Sequence, residues 1–115
     1  MATIELIGMD ALAKASDCLR LMAHPVRLRM AEILMQGEFP VHQIAELCEL
    51  PSHQASEHLR LMQGHGFLSS QRRGRAVYYK IVSPNLPGLI NCIRSNCPAL
   101  QSVRVGAPAG ERNYA

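Results

Sequence analysis

The chain contains no run of about eighteen apolar residues, which excludes a membrane-spanning helix on length alone. Its first residues, "MATIELIGMD", lack the basic start and long apolar stretch of a secretory signal, so the sequence reads as a cytoplasmic protein. It also lacks internal repeats, a glycine-rich loop that could cradle a phosphate, and a CxxC pair that could anchor a zinc knuckle. In a reducing compartment the four cysteines, Cys18, Cys48, Cys92 and Cys97, are thiols, metal ligands or redox sensors rather than a disulfide framework. The most informative absence is of acid. Residues 60–80 hold Arg60, Arg72, Arg73, Arg75 and Lys80 with no aspartate or glutamate. Residues 1–59 hold four basic and eight acidic side chains, so the formal charge of +3 is focused on one segment. Such focusing is the electrostatic footprint of a polyanion partner.

At 115 residues the chain is one domain, long enough to bury roughly two thirds of its unfolded surface. Residues 1–104 read as the folded unit and 105–115, "VGAPAGERNYA", as a disordered tail of glycine, proline and small residues. Leu12, Ala15, Leu19 and Met22 recur at helical spacing and predict a helix over about 9–22. "HPVRLRMAEILMQG" predicts a second, with Pro25 in its first turn, Gly37 as its stop and Val26, Met30, Ile33 and Leu34 as its buried stripe. A short helix over 41–48 turns Ile44, Ala45 and Leu47 inward. After "ELPS" a fourth helix, capped by Ser52, buries Ala55, Leu59 and Met62. "FLSSQ" and "AVYYKIV" are strand-like runs joined through "RRGR", a hairpin signal with glycine at its tip. A last helix carries Leu86, Leu89, Ile90, Ile93 and Cys97 along one stripe until Pro98 stops it.

Two short helices joined by a tight turn and followed at once by a basic hairpin form a winged helix-turn-helix pattern: mainly α with a β-hairpin wing. Ser52, His53, Gln54 and Ser56 give the second helix of the pair a polar N-terminal end suited to base edges in a major groove, with Arg60 one turn further on. Arg72, Arg73 and Arg75 crowd the hairpin with no acidic neighbour in sequence to pair with them. Beside a phosphate backbone each would find a counter-charge and release a condensed ion. A solvated basic turn is the bland alternative; the joint occurrence of helix pair and basic hairpin favours double-stranded DNA. An enzyme built on a cysteine nucleophile has no local signature here. A protein-binding winged helix would want an apolar outer face where this helix is polar.

The segment from "LMAHPVRLRMAEIL" through "SHQASEHLRLM" to "RAVYYKI" in the hairpin resembles the ArsR/SmtB family of bacterial winged-helix repressors, across about residues 16–97. The resemblance implies a homodimer joined mainly by its first and last helices, which binds an imperfect palindrome and releases it when an inducer is sensed. It implies no obligatory cofactor. Two sensor sites of that family are missing from this sequence. Where members with a metal site at the helix-turn-helix carry a CVC sequence, this chain has "PVHQ", with Pro40 and His42 in place of the two cysteines. Where zinc sensors carry an aspartate and histidines on the last helix, it has Ser83, Asn85 and Asn96, none a good zinc ligand.

Cys92 and Cys97 on the last helix and Cys18 on the first remain, on the two elements that the resemblance places at the dimer interface. Arsenite or a soft metal ion favours two or three thiolates. Five residues along a helix is about 140° of rotation, so the two late cysteines face one ion only if Cys97, ahead of Pro98, leaves the helical path. Oxidation of the same cysteines, with no metal, is an equally open reading. Cys48 reads as a small core residue, and His24 and His58 read as helix-start and packing residues.

Overall fold

Proline and the helix-stop signals set most of the boundaries. In the computed structural model, which describes residues 3–96, α1 runs Met9–Met22, α2 Pro25–Leu34, α3 Val41–Cys48, α4 Ser52–Gly64 and α5 Leu86–Asn96. Strands β2 (Leu68–Arg73) and β3 (Ala76–Ile81) form the hairpin, and a two-residue β1 (Phe39–Pro40) adds to the free edge of β3, giving the order β1-β3-β2. Cys97, Pro98 and the tail at 105–115 lie outside the described residues. No helix among the described residues is long and apolar enough to cross a membrane.

Pro25 takes the first position of α2, where a missing amide hydrogen costs nothing, and His24 caps the helix by accepting the Val26 amide hydrogen on Nδ1 at 3.1 Å. The turn between α3 and α4 is closed by a Schellman motif. Glu49 adopts the left-handed region (φ 58°), its amide donates to the Glu46 carbonyl at 3.2 Å, and the Leu50 amide reaches back to Ala45 at 3.0 Å. Glycine usually fills that position, so Glu49 carries a conformational cost of about 1 kcal/mol for the sake of the turn. Pro51, not Ser52, is the N-cap of α4, and no side chain caps this helix. The expected Ser52 cap is therefore corrected: the Pro51 carbonyl accepts from the amides of Gln54 and Ala55, leaving Ser52 as the first helical residue.

Among the described residues the core is a single cluster. Met30, Ile44, Ala55, Leu59 and Met62, from α2, α3 and α4, are fully buried, and Met22, Leu68, Tyr79, Leu86 and Ile90 bring in the ends of α1, the sheet and α5. Val26 lies half-buried beside it rather than within it. The stripe on α1 departs most from a self-contained fold: Leu12 and Leu19 are 41% and 55% exposed, and only Leu21 and Met22 at the helix end are buried. Ile4, Leu6 and Ile7 ahead of α1 are exposed too.

Candidate nucleic-acid interface

One face of α4 is committed to the core by Ala55, Leu59 and Met62 at three- and four-residue spacing, which turns the rest of the helix outward. Ser52, His53, Gln54, Glu57 and Arg60 are exposed and Ser56 half-buried, so the polar series expected to read DNA does lie on the solvent side. The Schellman turn holds this helix against α3 through Ile44 and Ala45, so the polar end is presented by a rigid pair rather than by a loop.

The hairpin is built for a tight tip. Arg73 pairs with Ala76, leaving Gly74 and Arg75 as a two-residue turn. Gly74 has φ +63° and Arg75 does not share the left-handed region, the pattern of a type II′ turn, in which glycine at the first central position matches the strand twist. Arg75 therefore projects from the end of the wing. Alternation along β2 then sends Arg72 and Arg73 to opposite faces. Among the described residues neither Arg72 nor Arg75 has an ion-pair partner.

Arg73 differs, and the expectation that no acid pairs with the wing is overturned here. Its Nη2 donates to Glu38 Oε1 at 2.6 Å, its Nε and Nη2 reach Gln71 Oε1 at 3.3 and 3.0 Å, and its guanidinium carbon lies 4.6 Å from the centre of the Tyr78 ring. The register explains the cluster. Pro40 and Gln71 flank Tyr78 on either side of β3, so Tyr78, Gln71 and Arg73 share the outer face of the sheet, and Glu38, just ahead of β1, reaches Arg73 there. Thirty-five residues separate Glu38 from Arg73, and the pairing of β1 with β3 brings the two stretches alongside.

A second polar cluster ties α4 to the start of α2. Arg27 donates from Nε to His58 Nδ1 at 3.2 Å and from Nη1 to the Leu21 carbonyl at 2.9 Å, while the rings of His24 and His58 meet edge-on with centroids 4.8 Å apart. Burial, then the neighbouring His24 and Arg27, hold His58 below its ordinary pKa of 6.5, so it stays neutral and able to accept. On the inner face of the sheet, burial raises the Tyr79 phenol, and the charge of Arg60 on α4 partly offsets that rise. His24 and His58 thus fill the roles read from sequence, helix start and packing.

Three of the four cysteines fall among the described residues. Cys18 on α1 is half-buried against the core and Cys92 on α5 is exposed. Burial pushes the Cys48 thiol up to about 11, so it remains protonated and packs as a small apolar residue. Among the described residues no group of three His, Cys, Asp or Glu side chains could hold a metal ion. Cys97, the third member of the expected thiolate set, lies outside the described residues.

A family model described as a helix-turn-helix domain matches residues 22–71. The transcriptional repressor PagR of Bacillus anthracis is 34% identical over 79 residues, covering 68% of this chain and 79% of PagR. Its crystal structure matches with a TM-score of 0.64 at 32% identity, over 75% of this chain and 99% of that one. The repressor SmtB of Mycobacterium tuberculosis (strain ATCC 25618 / H37Rv) is 27% identical over 81 residues, covering 70% of this chain and 60% of SmtB. The crystal structure of the antimony-specific transcriptional repressor AntR matches with a TM-score of 0.75 at 19% identity, over 87% of this chain and 94% of that one, a likeness of fold.

Proposed function

The chain belongs to the ArsR/SmtB family of winged-helix transcriptional repressors, and from that premise we propose that it binds an operator in duplex DNA as a homodimer and releases it when a thiol-directed inducer arrives. The observation that carries the DNA reading is the pairing of two wing cations without an ion-pair partner among the described residues, Arg72 and Arg75, with a recognition helix whose N-terminal outer side is polar and whose inner side is fully buried. Ser52, His53, Gln54 and Ser56 would address base edges, and Arg60, Arg72 and Arg75 would address phosphates, with Arg73 at the border of the surface. The exposed Leu12 and Leu19 of α1 support a second copy as the missing partner, since an apolar helical stripe needs a cover. In such a dimer the two α4 helices would enter successive major grooves roughly 34 Å apart.

The inducer reading rests on chemistry rather than on an assembled site. Arsenite or a soft metal ion would be held by Cys92, Cys97 and Cys18, drawn from the helices that a dimer brings together. The exposure of Cys92 favours an alternative of the same fold, oxidation of Cys92 and Cys97 without any metal, because access is what oxidants need. Neither reading requires an obligatory cofactor or a membrane, and both place the protein in the reducing cytoplasm. The test is release from a labelled duplex titrated with arsenite, cadmium, zinc or peroxide, on the native chain and on each Cys→Ser variant. Arsenite release abolished by Cys18→Ser is expected for the three-thiolate site. Peroxide release that needs only Cys92 and Cys97 would replace it with the redox reading, and release indifferent to all three would refute both.

A further inference from the structure

Of the three arginines on the wing, one is already paired with an acid of its own chain. Arg73 lies back along the outer face of the sheet, with Glu38 at 2.6 Å, Gln71 accepting from two of its nitrogens and the Tyr78 ring beneath it. An exposed ion pair on its own is weak because two long side chains must be ordered in high dielectric. Here the ordering is shared: the amide of Gln71 and the face of Tyr78 fix the guanidinium, so Glu38 meets a cation already in place. Arg72, on the opposite face, and Arg75, in the turn, have no such partner among the described residues.

We propose that Glu38 sets how many phosphates the wing engages, by holding Arg73 as an internal ion pair and so limiting sequence-independent attraction to DNA. This rests on the DNA-binding function proposed above and adds to it a residue that determines specificity from outside the contact surface. Attraction to any duplex grows with each cation that displaces a counterion, whereas base readout does not. A wing with three free arginines would therefore bind every sequence more tightly without improving discrimination. Glu38 removes one of the three.

Salt dependence on a random-sequence duplex tests this, because its slope counts phosphate contacts. Freed from Glu38, Arg73 adds a contact in each subunit. Glu38→Gln is expected to steepen the slope of log K against log salt by about 0.9 per subunit, which costs about 3.5-fold more affinity per subunit between 50 and 200 mM salt. Asp17→Asn serves as the matched control: it breaks the exposed Arg20–Asp17 pair on α1, removes the same charge, and is expected to leave the slope unchanged. The double variant E38Q/R73Q is expected to return to the native slope. An E38Q slope equal to the native one, or equal steepening in D17N, overturns the role of Glu38 while leaving DNA binding intact. A native protein that binds no duplex at all removes the underlying function first, and the role of Glu38 with it.

Discussion

Arg75→Ala isolates the contribution of the wing most cleanly. The residue occupies the second position of a two-residue turn at negative φ, has no ion-pair partner among the described residues, and is exposed, so alanine fits the backbone and disturbs no packing. Stability should stay within about 0.5 kcal/mol of the native protein, the usual range for a surface change away from special features. Binding should not. If each subunit of a dimer sets one Arg75 on a phosphate, the substitution removes two contacts and flattens the slope of log K against log salt by about 1.8. Over a fourfold rise in salt, from 50 to 200 mM, the native protein would then lose about 12-fold more affinity than the variant. Fluorescence anisotropy of a labelled duplex at four or five salt concentrations measures this directly. Arg72→Ala should behave alike, whereas Arg73→Ala, whose charge is already met by Glu38, should keep close to the native slope. A flattened slope in Arg73→Ala beside an unchanged one in Arg75→Ala would refute the assignment, since it would mean that DNA draws Arg73 away from Glu38 and leaves the tip idle.

Leu59→Ala, which empties a fully buried position between α4 and the core, should cost about 2–5 kcal/mol in urea unfolding. His58 gives a pH signature. Its folded pKa lies below the ordinary 6.5, so below that value the unfolded chain binds more protons; the stabilisation is complete above 6.5 and declines as pH falls through the depressed folded value. Urea midpoints from about pH 8 to about pH 5 should show that decline in the native protein and a shallower one in His58→Gln; identical profiles would exclude His58 as its source. Cys48, with its thiol raised to about 11, should be thiolate in about one molecule in a thousand at pH 8 and resist thiol reagents until the protein unfolds. Cys48→Ser should leave inducer-driven release unchanged, and a lost response would move the sensing site into the helix-turn-helix.

Local signals were readable in the sequence wherever short-range chemistry decides the outcome. Pro25 at the start of α2, the apolar spacing of Ala55, Leu59 and Met62, and Gly74 between two alternating runs each act within a few residues; the helices stand where their signals place them, while the hairpin joint is tighter than "RRGR", because β2 runs on through Arg73 and leaves only Gly74 and Arg75 as the turn. The Ser52 cap failed for a local reason as well, because Pro51 takes the N-cap position and the helix begins one residue earlier than a serine cap requires. The misses that matter for function are long-range. Nothing near Arg73 in the chain announces Glu38, since their meeting depends on a two-residue strand too short to show alternation. The Arg27–His58 bond likewise spans 31 residues and follows from how α2 crosses α4. The stripe on α1 was legible as a helix, but a period of 3.6 cannot say whether its cover is the chain's own core or another molecule; Leu12 and Leu19 remain open in the single chain.

Amide hydrogen exchange of the native protein with and without a DNA duplex, at low salt, puts the central claim to its most direct test. Slowed exchange is expected in the first turns of α4, residues 52–56, and around the wing turn, residues 72–76, with α1 unaffected by the duplex. No change in either segment, or protection confined to α1 and α5, would contradict it.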